Sequence, residues 1–115
     1  MIAGTHGNEI NAPWLFDQCK KFPELINNND LEIVKVLGNP EAVKACKRYL
    51  HRDLNRSFRS ELFDDLNIKD YEVIRAKELL FNYGVKADNS CQIAVDLHST
   101  TSSMGTSLVV YGRRC

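Results

Sequence analysis

Apolar, β-branched stretches alternate along this chain with stretches of helical period, and that alternation admits few architectures. Met1, Ile2 and Ala3 read as the end of a strand running into Gly4. The usual strand has about five or six residues, so the chain is expected to begin inside an element. Ala12, Leu15, Phe16, Cys19 and Phe22 then recur at helical spacing, with Pro13 near the first turn and Pro23 at the stop. A polar turn at 27–30 precedes a predicted strand over 31–37, built on Ile33, Val34, Val36 and Leu37 and closed by Gly38-Asn39-Pro40. A short helix is predicted over 41–48, whereas residues 49–68 show no clean period and read largely as loop. Asp70 is placed to cap a helix whose Val73, Ala76, Leu80 and Tyr83 share a face, with Gly84 at its end. Residues 92–97 and 106–111 read as two further strands separated by a small polar run. Strands alternating with helices predict an α/β domain with a mainly parallel sheet, whose ligands sit beyond the carboxyl ends of the strands. His6 and His98 both fall at such ends.

The 115 residues suffice for one domain, 1–115, and are short for a complete α/β hydrolase. With 43% hydrophobic and 26% charged residues the chain is too rich in core formers to be disordered. No apolar run approaches the roughly 20 residues of a membrane span, and no basic segment followed by an apolar one opens the chain. A cytoplasmic protein without a membrane partner is therefore expected. The four cysteines lie far apart with no C-x-x-C pair, so reduced thiols are expected. Fifteen basic residues balance fifteen acidic ones, which leaves no global field for holding nucleic acid.

Two motifs carry chemistry. In Gly4-Thr5-His6-Gly7-Asn8-Glu9 the glycines let the backbone turn while an imidazole and a carboxylate are presented three residues apart. H-x-x-E is a weak signal alone, but Asp96-Leu97-His98 at the end of an apolar strand adds a second imidazole. Two nitrogens and one carboxylate oxygen form the ligand set of several catalytic zinc sites, with a position left for water. His6, Glu9 and His98 are thus the candidate metal ligands. Asp96, two residues from His98, is suited to accept the spare N–H of either metal-bound histidine. The second motif lies in residues 44–59, where six Lys or Arg stand against one acid. Guanidinium forks bind carboxylates bidentately, and Asn55 adds donors of fixed geometry, which suits a small dicarboxylate.

With these residues in place, the sequence resembles the aspartoacylase and succinylglutamate desuccinylase family, itself similar in fold to zinc carboxypeptidases. The shared residues are Gly-Thr-His-Gly-Asn-Glu at 4–9, Asn-Pro at 39–40, Arg-Tyr at 48–49, Asp-Leu-Asn-Arg at 53–56 and Asp-Leu-His-Ser-Thr-Thr-Ser at 96–102. The resemblance implies a three-layer zinc-carboxypeptidase-like α/β domain, incomplete at its C-terminus, with one Zn²⁺ per chain held by His6, Glu9 and His98. It implies that Arg48, Asn55 and Arg56 bind the carboxylate and amide region of a small N-acyl amino acid. Closest is the aspartoacylase branch, which hydrolyses N-acetylaspartate to acetate and aspartate.

Two departures accompany the resemblance. His51 stands where members of the family often carry an acid, which brings an additional imidazole near the expected site. The family's general-base glutamate belongs to a segment beyond Cys115, and none of Glu24, Glu32, Glu41, Glu61, Glu72 or Glu78 falls in a matching context. The expected activity is zinc-dependent hydrolysis of an N-acyl-L-aspartate by a longer enzyme of which this chain is the N-terminal, zinc-binding part. A succinylglutamate desuccinylase-like hydrolase, a non-catalytic module that binds an acidic amino acid, and a carboxypeptidase-like enzyme are the alternatives. Self-association into a homo-oligomer is left open.

Overall fold

In a computed structural model that describes residues 1–27, 29–88 and 90–100 together with Gly105 and Ser107, three short strands form one parallel sheet. β1 (Ile2–Ala3) is central, flanked by β2 (Val36–Leu37) and β3 (Asp96–Leu97). Ile2 pairs in register with Val36 and Asp96, and Ala3 with Leu37 and Leu97. Registered residues of parallel strands share a face, so Ala3, Leu37 and Leu97 point to one side and Ile2, Val36 and Asp96 to the other.

Each face is covered by helix. Ala3 packs with Ala12 and Phe16 of α1 (Asn11–Lys21), and Leu97 joins that cluster. On the other face Val36 packs against a cluster of Leu54, Ala76 and Leu79, two of them from α4 (Tyr71–Tyr83). Helix, sheet, helix is the expected three-layer arrangement. α4 is fastened to the end of β2 by Arg75, which donates to the carbonyls of Leu37 and Gly38.

Several elements differ from the sequence expectation. β2 covers two residues where 31–37 is predicted, and β3 two where 92–97 is predicted, these being the residues in register with Ile2 and Ala3. The short α2 (Pro40–Lys44) stops before the predicted 48. Cys46 turns the chain with a φ of 51°, and the Cys46 and Lys47 amides donate back to the carbonyls of Val43 and Ala42, a Schellman closure. Within 49–68, read as loop, lie a 3₁₀ turn at Leu54–Arg56 and a helix α3 (Ser60–Asp64). The turn is nucleated by Asp53, whose side chain accepts from the Asn55 amide.

The buried face of α4 is Glu72, Val73, Ala76 and Leu79, with Leu80 turned to solvent. Asp70 precedes that helix as predicted but caps nothing with its side chain, which instead pairs with the Arg52 guanidinium. Of the predicted strand at 106–111, all but Ser107 lies outside the described residues.

Candidate metal centre

The first histidine is placed by two glycines where a side chain would be strained or would clash. Gly4 has a φ of +65°, a left-handed conformation that costs a side-chain-bearing residue energy. Gly7 lies so close to α2 that a Cβ would meet the Ala42 carbonyl carbon at 2.0 Å. That contact, together with the Gly7 amide donating to the Arg48 carbonyl at 3.2 Å, seats the turn after β1 against α2. His6 is left buried beyond the strand end. The Glu9 amide donates to the His6 carbonyl, folding Glu9 back toward the imidazole. From the end of β3, the strand paired directly with β1, comes His98.

These three side chains converge. Their ligand atoms lie within 4.8 Å of one another, and the two imidazole centroids are 4.8 Å apart. His6 Nδ1 stands 2.7 Å from Glu9 Oε1, and His98 Nδ1 stands 3.1 Å from Glu9 Oε2. The Ser99 amide donates to the same Oε2 at 2.8 Å. On the outer side of each ring sits another carboxylate. His98 Nε2 is 2.7 Å from Asp96 Oδ2, while Asp96 Oδ1 accepts from the Thr5 hydroxyl. His6 Nε2 is 3.2 Å from both oxygens of Asp53.

This arrangement decides what the centre fits. A neutral imidazole has one N–H. If Nε2–H is given to Asp53 in one ring and to Asp96 in the other, both Nδ1 lone pairs face oxygens of one carboxylate, and lone pairs at such distances repel unless a cation or protons lie between. The donor set of two nitrogens and a carboxylate, braced from outside by carboxylates, therefore fits a divalent transition metal. Around the centre the acids are held ionised. Burial pushes the Glu9 carboxyl up, but the Ser99 amide and the two histidines outweigh it and bring it below its ordinary value. Burial likewise raises Asp53, against which His6, the Asn55 amide and Arg48 prevail and lower it.

The basic segment reaches the centre in part. Arg48 Nη2 donates to Asp53 at 3.3 Å and lies 3.0 Å from His6 Nε2, so the two N–H groups share the Asp53 carboxylate. Its Nη1 is 3.6 Å from Glu9. Arg48, Asn8, Glu9, Ser99 and Thr100 line a recess of about 400 Å³ beside the triad. Asn55 Nδ2 approaches His98 Nε2 at 3.3 Å. Arg56 is not gathered in: it is exposed, makes no ion pair among the described residues, and lines a separate open recess with Arg52, Phe58 and Arg59. His51 also stays away from the triad, since its Nδ1 accepts from the Tyr71 amide at the start of α4.

The succinylglutamate desuccinylase/aspartoacylase catalytic domain matches residues 1–114. The chain belongs to this family. Among curated relatives, a probable aspartoacylase of Prochlorococcus marinus (strain MIT 9313) is 58% identical over 114 residues, 99% of this chain and 38% of that protein. A probable aspartoacylase of Synechococcus sp. (strain CC9605) is 51% identical over 114 residues, again 99% of this chain and 37% of that protein. The chain thus spans well under half the length of these relatives. Murine aminoacylase 3 superposes with a TM-score of 0.69 at 34% identity, over 84% of this chain and 34% of that one, which bears out the family fold inferred from the motifs.

Two participants are not marked by the sequence. Asp53 stands within the basic segment, and nothing in its spacing pairs it with a histidine 47 positions earlier. Glu72 falls in no general-base context, yet it is fully buried and accepts from the amides of Leu50, His51 and Arg52. A glutamate on the apolar face of a predicted helix, between Tyr71 and Val73, was the available signal.

Proposed function

We propose that His6, Glu9 and His98 hold one zinc ion per chain. Residues 1–115 then form the N-terminal, metal-binding part of an amidohydrolase that cleaves an N-acyl-L-aspartate, N-acetylaspartate foremost, into a carboxylate and aspartate. The observation that carries this reading is the pair of imidazoles whose Nδ1 atoms face one carboxylate while each Nε2 faces another. Bound there, zinc would polarise the scissile carbonyl and bring the pKa of a water toward about 7.

The chain's own residues prepare that chemistry. Asp53 and Asp96 hold the Nε2 protons and so keep both Nδ1 lone pairs free to ligate. The Ser99 amide orients the Glu9 carboxylate. Arg48, half exposed at the lip of the recess, is placed to fork onto a substrate carboxylate. Asn55 supplies donors beside His98, whereas Arg56, which lines the separate recess, is given no part in this reading. Asp53 and Asp96 are each engaged with an imidazole, so neither is free to take a proton from water. We assign that role to a glutamate beyond Cys115, in keeping with the greater length of the relatives. A cytoplasmic setting is part of this reading; no helix among the described residues is long and apolar enough to cross a membrane.

Equilibrium dialysis of the purified chain against zinc tests the core of the proposal. One ion per chain is expected in the wild type and none in His6→Ala or His98→Ala. A wild type that takes up no zinc, or a His98→Ala variant that takes up as much, would remove it. Release of aspartate from N-acetylaspartate, against release of glutamate from succinylglutamate, by the longer protein separates the two substrates.

A further inference from the structure

The most completely buried carboxylate in the described chain is not in the metal centre. Glu72, in the first turn of α4, has no solvent exposure. One of its oxygens accepts from the Leu50 amide at 2.7 Å and from Asn39 Nδ2 at 3.1 Å. The other accepts from the amides of His51 at 3.2 Å and Arg52 at 3.3 Å. Three consecutive backbone N–H groups thus point at one side chain, an arrangement that in many proteins receives a bound anion. Here the anion is built in.

Those amides belong to the link between Arg48 and Asp53, the two residues through which the basic segment reaches His6. Its ends are fixed independently: Arg48 by its carbonyl accepting from Gly7, Asp53 by capping the 3₁₀ turn that carries Asn55 and Arg56. Arg52 adds a second fastening to α4 through Asp70. Asn39, also fully buried, joins Glu72 to the start of α2, where its Oδ1 accepts from the Ala42 amide. Burying a carboxylate is costly unless it is fully bonded, and these bonds all lead to the loop and to α2 rather than to the sheet. We infer that Glu72 is a positioning residue for the substrate-binding segment: its buried carboxylate holds residues 50–52 so that Arg48, Asp53 and Asn55 reach the metal centre together.

This rests on the functional reading above, and its test separates the two. Amide hydrogen exchange of the wild-type chain should show Leu50, His51 and Arg52 protected although they lie outside any helix or strand. In the near-isosteric Glu72→Gln, protection at these three should drop on the order of tenfold while Ala76 and Leu79 in α4 stay within twofold. Calorimetry with N-acetylaspartate on the zinc-loaded chain should show binding weakened on the order of tenfold, the size typical of losing an outer support, with one zinc retained. Arg48→Ala should weaken binding less in the Glu72→Gln background than in the wild type, a coupling that general destabilisation would not produce. Unprotected amides at 50–52 in the wild type, or a variant that binds N-acetylaspartate as the wild type does, overturns the positioning role alone. A wild type that takes up neither zinc nor N-acetylaspartate overturns the site reading, and this inference with it.

Discussion

Asp53→Asn preserves the shape of a side chain that touches His6 but removes its charge and turns one of the two oxygens facing Nε2 into a donating NH2, which weakens its hold on the Nε2 proton. The imidazole is then free to carry its proton on Nδ1, where it cannot ligate, and zinc affinity is expected to fall about 10- to 100-fold. Asp96→Asn should do the same through His98. Competition titration against a chelating dye measures both, and affinities within twofold of the wild type would show that the outer carboxylates do not set the tautomers. Glu72 bears on stability instead. Burial pushes its carboxyl up, but the Leu50 amide, Asn39 and the His51 amide together bring it below the ordinary 4.5. A carboxyl depressed in the folded state contributes stability that is present above its unfolded value and lost as pH falls through the folded one. Urea midpoints should therefore decline below about pH 4.5, and Glu72→Gln should show a shallower decline; parallel acid limbs would refute this. At this scale the cluster of His6, Glu9 and His98 was legible because each stands in a short motif at a strand end. Asp53 and Glu72 were not, because their partners are 47 and about 20 positions away and only the folded chain brings them near.

Among the elements, the helices announced themselves and the strands overstated their length. α1 and α4 each show an apolar stripe over several turns, and both formed within a residue or two of expectation. A strand has no such internal check: residues 31–35 carry strand-like side chains, yet only Val36 and Leu37 are in register with β1, and apolar bulk cannot report where a ladder stops. Short elements held by a single side chain were the least visible, as with the 3₁₀ turn capped by Asp53. The end of α2 rests on Cys46, a non-glycine residue in the left-handed region whose side chain is exposed and unpaired. A Cβ there costs roughly 1–2 kcal/mol that glycine avoids. Cys46→Gly is expected to stabilise the chain by roughly 0.5–1 kcal/mol, after the greater unfolded-state entropy of glycine is subtracted. Urea unfolding checks the sign, and a destabilised variant would mean that the thiol contributes packing its exposure does not suggest.

At the scale of the whole molecule, segments far apart in the described sequence meet at the candidate metal centre. Two of the candidate ligands follow β1 and the third follows β3, and these two strands pair over only two residues. Among the described residues, Ile10, Trp14, Phe81 and Ile93 are more than half exposed. With two paired residues per strand and these apolar side chains in water, the described residues draw modest stability from their core. The cross-link supplied by a bound ion should then weigh heavily. Zinc at a hundred times its dissociation constant stabilises a folded state that alone binds it by about 2.7 kcal/mol. Thermal unfolding of the metal-free chain is thus expected to shift upward by several degrees on adding zinc, to return with a chelator, and to move little with magnesium, which prefers oxygen ligands in octahedral array. His98→Ala should abolish the zinc shift while leaving the metal-free midpoint nearly in place. A zinc shift that survives in this variant would mean that the ion binds elsewhere, and that strands β1 and β3 are not joined through it.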